Sequence, residues 1–190
     1  FRSNQKHFSF EVKANKLITG NFTAGIGSRY EYLKYSPEIE TFPRVYGKIN
    51  FLTGFVDLHF NNLNSPSYPN SGNIIDFEAG VNYNQHPDFK YDDGNSATPQ
   101  SSPLFSKKAY YSIKYYSAHY LPIHKHSLFF KLHSGVHFGN KQPFLNDFIV
   151  GGNDLVIRNQ ILFPGFRTNS IFSSSVIAPQ VGLHYSVTKK

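Results

Sequence analysis

Apolar and polar residues alternate along most of the chain, and a period of two is typical of a β-strand with two different faces. Between residues 127 and 139, for example, Leu128, Phe130 and Leu132 alternate with Lys131 and His133. Helical periodicity is nearly absent, so the pattern predicts an all-β protein. Seven stretches show the alternation, at about residues 7–14, 17–32, 45–60, 75–83, 108–121, 127–139 and 174–188.

The connections between these predicted strands alternate in length. The stretches 13–16, 61–72 and 122–126 are short or compact, and the stretches 34–44, 85–107 and 140–173 are long. Short turns at one rim and long loops at the other are typical of an up-and-down barrel of the outer membrane. Several predicted strands also exceed the roughly 9–11 residues that cross a bilayer. The sequence therefore predicts an antiparallel up-and-down transmembrane β-barrel.

Each predicted strand has an apolar face, which we expect to contact lipid, and a polar face, which we expect to line a wet lumen. Single-chain bacterial barrels close with an even number of strands. We therefore expect residues 1–190 to form a single barrel domain fragment of about seven or eight strands, completed by missing strands or domains of the same protein. The residues predicted to face hydrocarbon include Phe77, Val81, Leu128, Phe130, Leu132 and Leu183.

The amino-acid composition narrows the possible classes of protein. The chain has 19 Phe and 13 Tyr, which favour strands. Its net charge of +7 is scattered without a basic block or recognition helix, so we expect no nucleic-acid partner. A soluble carbohydrate-binding β-sandwich, with the apolar faces of two sheets in contact, stays open as an alternative.

Two motifs occur in order along the second half of the chain. A compact turn carries Pro66, Tyr68, Pro69 and Gly72, and "LPI" at 121–123 precedes a strand that ends in Gly139. "PF" at 143–144, "GG" at 151–152 and Arg158 then follow. This order resembles the barrels of the bacterial surface antigen superfamily, which includes outer-membrane assembly factors and two-partner secretion pores.

Within that superfamily, "GGNDLVIRNQILFPGF" is most similar to the C-terminal barrel of Bacteroidota-type patatin-like phospholipases. Asn159 stands where the wider motif has glycine. The resemblance implies a location in the bacterial outer membrane and a full protein with a patatin hydrolase domain and a POTRA-like module. It implies that the barrel serves lipid metabolism as a membrane anchor or translocation module. An assembly or secretion pore of the same superfamily is the alternative.

No catalytic residue is predicted in this chain, because it lacks the G-x-S-x-G sequence that holds the nucleophilic Ser of such hydrolases. Whether the parent protein is a lipid acyl hydrolase stays open. No cofactor or metal is expected, since His133 and His137 lie four residues apart on a strand, about 13 Å. The expected partners are outer-membrane lipid and the rest of the same protein, and homo-oligomerisation is left open.

The long stretch 140–173 is rich in large apolar residues but, with its glycines and polar residues, resembles neither strand nor helix. The resemblance implies that this loop folds into the lumen, with Gly151, Gly152 and Arg158 as its motif and Arg158 anchored to the inner wall. Asp76 and Glu78 lie two apart on one strand, so they point the same way and are candidate partners for that guanidinium.

Overall fold

The computed structural model describes residues 3–37, 44–92, 106–142, 146–152, 159–163 and 171–185. Among these residues, we find no helix with the length and apolarity needed to cross a membrane. The strands are β1 (Ser3–Thr19), β2 (Phe22–Pro37), β3 (Arg44–Asn61), β4 (Gly72–Asp92), β5 (Tyr110–Ile123), β6 (His126–Gly139), β7 (Phe148–Val150), β8 (Gln160–Ile161), β9 (Ile171–Ser173) and β10 (Ser175–His184).

Seven strands form one antiparallel sheet in the order β1-β2-β3-β4-β5-β6-β10. Strands β1 to β6 are 14 to 21 residues long, which exceeds the roughly 9–11 residues that span a bilayer. Within the described part of the chain, β1 and β10 each pair with one neighbour in this sheet, so the sheet is open at both edges. The all-β, up-and-down architecture predicted from the alternation is confirmed as a partial β-barrel.

The first turn is not where the sequence predicted it. Residues 13–16 belong to β1, and the turn falls at Gly20 and Asn21. The two lysines and Asn15 looked like a polar turn, but Lys13 and Asn15 are the polar alternation of a strand, and Lys13 pairs with Asp57 across the sheet. The predicted strands 7–14 and 17–32 are therefore corrected to β1 and β2.

A second correction concerns the long stretch after β6. Its described parts contain three short strands, in the sheet order β8-β7-β9, where the sequence predicted neither strand nor helix. Strand β7 pairs in parallel with β8 and antiparallel with β9. Strands of two or three residues are too short to show the alternation on which the prediction depended.

Pro179 does not interrupt the last strand. It lies within β10 opposite Leu132, and the pairing of β10 with β6 has no register shift. Proline has no backbone N–H to donate to a ladder, and β10 is the last strand of the described sheet, with one side unpaired among the described residues.

The two faces of the seven-stranded sheet differ in composition. Residues directly opposite each other on neighbouring strands share a face, and the pairs Leu128–Leu183 and Phe130–Val181 lie on the apolar face with Phe77 and Val81. This face is well exposed, with Phe10 at 61%, Ile26 at 65% and Val181 at 67%. The other face, called here the polar face, carries most of the charged side chains and the three-stranded sheet.

Candidate functional site

Arg29 on β2 is the centre of an ion-pair network on the polar face. Its Nε donates to Glu11 Oε2 on β1 at 2.5 Å, and its Nη2 donates to Glu78 Oε2 on β4 at 3.2 Å. The guanidinium also lies 4.3 Å from the ring centroid of Phe55 on β3. Arg29 is only 6% exposed, and a charge this buried requires such partners. The network therefore joins four neighbouring strands.

The network continues to the long stretch after β6 through Lys114 on β5. The Lys114 ammonium lies 3.9 Å from Glu78 Oε1 and donates to Asn159 Oδ1 at 2.7 Å. Asn159 Nδ2 in turn donates to the backbone carbonyl of Asn146 at 3.1 Å. A continuous series of charged and amide groups thus connects β1 with the segments that lie on the polar face.

Those segments, 146–152 and 159–163, are called here the docked segment. The ring of Phe148 stacks on His137 of β6 with centroids 4.2 Å apart and planes 7° from parallel. A Cβ at Gly135 would clash with the same ring, so glycine leaves the space that Phe148 occupies. Phe148, Ile161 and Ala178 form a buried cluster with Phe163 and Val176 packed against it.

Side-chain amides fasten the docked segment to the wall and to itself. Asn146 Nδ2 donates to Gln85 Oε1 on β4 at 3.2 Å, and Gln180 Nε2 on β10 donates to the carbonyl of Leu162 at 3.1 Å. Gln160 Nε2 donates to the carbonyl of Gly151 at 2.7 Å. Amides suit this position because each carries both donor and acceptor groups that can pair with buried backbone and side-chain groups. The docked segment therefore has polar as well as apolar contacts with the sheet.

The two glycines of the predicted loop motif have a backbone role. Gly151 has φ 126° and Gly152 has φ 85°, a region that other residues adopt only with strain. Gly152 forms a β-bridge with Phe163. Glycine is thus required where the chain leaves β7.

Asp147 is a buried carboxyl next to the start of β7. Burial raises its pKa above the usual range for aspartate, and this outweighs the hydrogen bond from Gln142 Nε2, which favours the charged form. Sequence reasoning did not single out this residue, because a lone Asp in a loop carries no signal of burial.

Asp76 and Glu78, predicted as partners for Arg158, lie on the same polar face, as their spacing required. Asp76 Oδ1 lies 2.5 Å from His59 Nδ1, and Glu78 contacts Arg29 and Lys114. Arg158 itself lies outside the described residues, so its pairing with either carboxylate stays a prediction.

Arg29, Lys114, Gln85 and Asn146 are the residues that sequence reasoning missed as members of the site. Alternation is consistent with Arg29 and Lys114 on the polar face, and Gln85 and Asn146 lie in stretches predicted as loops. It does not show which polar residues meet across five strands. Asn159 was noticed only as a departure from a motif, and its two hydrogen bonds give that departure a structural reason.

Two histidines of the polar face, His133 and His137, are packed against aromatic rings. His133 lies 4.4 Å from the ring of Tyr116, and His137 lies between the rings of Tyr110 and Phe148. Among the described residues, no group of three or more His, Asp or Glu side chains is arranged to hold a metal ion.

A sheet of long antiparallel strands with one exposed apolar face, one charged face and a segment docked on the charged face defines an outer-membrane β-barrel module. The sequence model of the OMP85 superfamily matches residues 3–190, and the chain belongs to this superfamily. Members of the superfamily are outer-membrane proteins, which supports an outer-membrane location in general. No curated protein matches the chain.

Proposed function

We propose that this chain is the membrane-spanning part of a patatin-like phospholipase of a bacterial outer membrane. The barrel anchors the enzyme or passes a lipid-derived group across the membrane, and catalysis takes place elsewhere in the full protein. Residues 1–190 form one domain fragment, and further strands or domains of the same protein complete the barrel.

The observation that carries this proposal is the environment of Asn159. The resemblance to patatin-linked barrels depends on "RNQ", where the wider superfamily motif has glycine in place of Asn159. In the structure, the Asn159 amide accepts a hydrogen bond from Lys114 and donates one to the carbonyl of Asn146. Gln160, the next residue, donates to the Gly151 carbonyl. A glycine at 159 would remove both of its side-chain bonds, so Asn159 has a specific role in this chain.

A protein-assembly or secretion pore is the second candidate. The His59–Asp76 pair on the polar face is about half exposed, at 41% and 46% for the two side chains. Exposed, charged groups on the lumen side suit the passage of polar chains.

The test is to label the full-length protein with a fluorophosphonate probe, which reacts with activated serines, and to measure fatty-acid release from phospholipid vesicles. We expect labelling and hydrolysis by the full-length protein, with the label mapping outside residues 1–190, and neither by residues 1–190 alone. Absence of both from a folded full-length protein would favour the pore. A chain that stays soluble and folded without detergent would favour the carbohydrate-binding sandwich.

A further inference from the structure

A polar pair lies on the apolar face of the sheet. His119 on β5 is directly opposite Asn73 on β4, and the distance from His119 Nδ1 to Asn73 Oδ1 is 2.7 Å. His119 is also opposite Phe130 on β6, and residues opposite each other share a face, so the pair lies on the same face as Phe130. Polar side chains on a surface expected to contact hydrocarbon are costly and frequently belong to a functional site. The polar-face network does not account for this pair.

Further strands of the barrel would not cover the pair. Strands β4 and β5 lie in the middle of the seven-stranded sheet, and each is paired on both sides. Strands that complete a barrel extend the sheet in its own plane, and here they would join it at β1 and β10. The apolar face of β4 and β5 therefore stays on the outside of the closed barrel.

The hydrogen bond within the pair fixes the direction of the Asn73 amide. A carbonyl oxygen only accepts hydrogen bonds, so His119 Nδ1 carries the proton and donates to Asn73 Oδ1. The Asn73 backbone is held separately, because its N–H donates to Asn62 Oδ1 at 2.6 Å and its carbonyl accepts from the Asn62 N–H at 3.0 Å. Within the described part of the chain, Asn73 Nδ2 has no acceptor. Its N–H donors are thus left for a ligand.

The surroundings of the pair are apolar. Leu121 is the next residue of β5 on this face towards the β5–β6 turn, and it is 52% exposed. Phe130 is 43% exposed, and Phe77 lies further along β4 on the same face. The phosphate of a phospholipid stays among the hydrated headgroups, whereas its ester carbonyls are the acceptors nearest to the hydrocarbon. A donor within the apolar face therefore suits an ester carbonyl better than a phosphate.

We propose that Asn73 binds a phospholipid of the surrounding membrane through an ester carbonyl. Asn73 Nδ2 donates to the carbonyl oxygen, His119 is a positioning residue that holds the amide in this orientation, and an acyl chain lies along Phe77. The pair is near the short β5–β6 turn, and short turns of outer-membrane barrels face the periplasm, so the lipid belongs to the periplasmic leaflet. The inference rests on the membrane-spanning part of the proposed function, and it adds a lipid class and the group that is recognised.

The experiment is native mass spectrometry of the full-length protein in detergent, after removal of bound lipid and treatment with the fluorophosphonate probe to block any active serine. The protein receives equal amounts of two phosphatidylglycerols with the same chain lengths. One has ester linkages, and the other has ether linkages, which lack the carbonyl. We expect the ester lipid to be retained about fivefold better, the effect of one hydrogen bond. Equal retention of the two lipids would overturn the inference.

Two variants at Asn73 show whether this amide causes the preference. Asn73→Asp keeps an acceptor for His119 but has no N–H, and Asn73→Leu is apolar and suited to a lipid-facing position. Both should retain the two lipids equally. Asn84→Asp is the matched control, since Asn84 Oδ1 is 3.1 Å from His86 Nε2 in an exposed pair towards the other end of β4. It should keep the full preference. A preference that survives in both Asn73 variants, or that is lost in the control, would overturn the inference.

The positioning role of His119 is tested in the same titration. His119→Leu should lower the preference for the ester lipid, and His119→Gln should restore it, because a side-chain amide can still donate to Asn73 Oδ1. Equal preferences in these two variants would contradict the positioning role. Labelling by the fluorophosphonate probe is recorded in the same samples. A labelled protein without the ester preference would overturn this inference alone, and an unlabelled protein with the preference would overturn the proposed enzyme but not the lipid site.

Discussion

Phe130 and Lys131 are neighbours on β6 and lie on opposite faces of the sheet. Phe130 is opposite Val181 on a face whose large apolar side chains are exposed, and Lys131 is opposite Gln180 on a face whose charges are paired and partly covered. In a water-soluble protein the exposure would be reversed. The comparison indicates that the apolar face contacts lipid rather than water. The polar face is held together by contacts among its own side chains.

The largest expected effect comes from a charge on the apolar face. Phe130→Arg should lower the free energy of unfolding by about 2–4 kcal/mol if residue 130 lies near the bilayer midplane, because the guanidinium would be in hydrocarbon. The measurement is urea unfolding in lipid vesicles. Lys131→Arg, one residue away, is the control and should be almost neutral. Equal costs at the two positions would contradict the assignment of the faces.

On the polar face the largest effect should come from Arg29→Met. This change leaves Glu11 without its partner on β2 and Glu78 with one fewer, and we expect a loss of about 1.5–3 kcal/mol, as for hydrogen bonds to charged groups. The same unfolding assay measures it. Lys48→Met is the control, since the Lys48–Asp88 pair is exposed and such pairs contribute about 0–1 kcal/mol. If Arg29→Met lowers the free energy of unfolding no more than Lys48→Met does, the ion pairs of Arg29 do not contribute more to stability than an exposed pair.

Substitutions of glycine by alanine should have different costs in stability on the two faces. Gly135→Ala places a methyl group where the Phe148 ring packs, and we expect a cost of about 1–3 kcal/mol from overpacking, together with a loosened docked segment. Gly54→Ala on the apolar face meets only Val81 and Tyr83 at ordinary contact distances and should be tolerated. Faster thermolysin cleavage near Gly151 in the first variant, but not in the second, is the expected result. Unchanged cleavage in both would mean that Phe148 does not hold the segment.

The smallest effect should come from Asn159→Gly, which restores the residue of the wider motif. It removes the bonds to Lys114 and to the Asn146 carbonyl, and we expect about 0.5–1.5 kcal/mol of local stability to be lost. Thermolysin cleavage near Gly151 again reports it. Lys114→Met should cause a similar change, and the double variant should lose less stability than the sum of the two single variants, because the two residues share one bond. Fully additive effects would show that they act independently.

Much of the fold could be predicted from the sequence, because period-two alternation is a direct consequence of strand geometry. Alternation alone places Phe130 and Lys131 on opposite faces of the sheet, without any information about tertiary contacts. The turn at Gly20 and Asn21 was missed because the polar residues Lys13, Asn15 and Lys16 resemble a turn when their partners on other strands are unknown. The short strands β7 to β9 were missed because their pairing is entirely non-local.

The site was less predictable for a related reason. Arg29 joins residues 18 and 49 positions away along the chain, and Lys114 reaches Asn159 across 45 positions. Such contacts depend on the register of five strands, which alternation alone does not fix. The need for glycine at 151 and 152 could be predicted as part of a motif, but its reason, a positive φ at both residues, required the structure.

The most direct test of the two-face account is a scan of single-cysteine variants from residue 127 to residue 134, each carrying a spin label, in lipid vesicles. The chain has no cysteine, so each label reports one position. We predict collision with oxygen, which concentrates in hydrocarbon, to be highest at 128, 130 and 132, and collision with a water-soluble nickel complex to be higher at 129, 131 and 133. Oxygen and nickel accessibility that do not alternate, or that alternate in the opposite phase, would contradict the account.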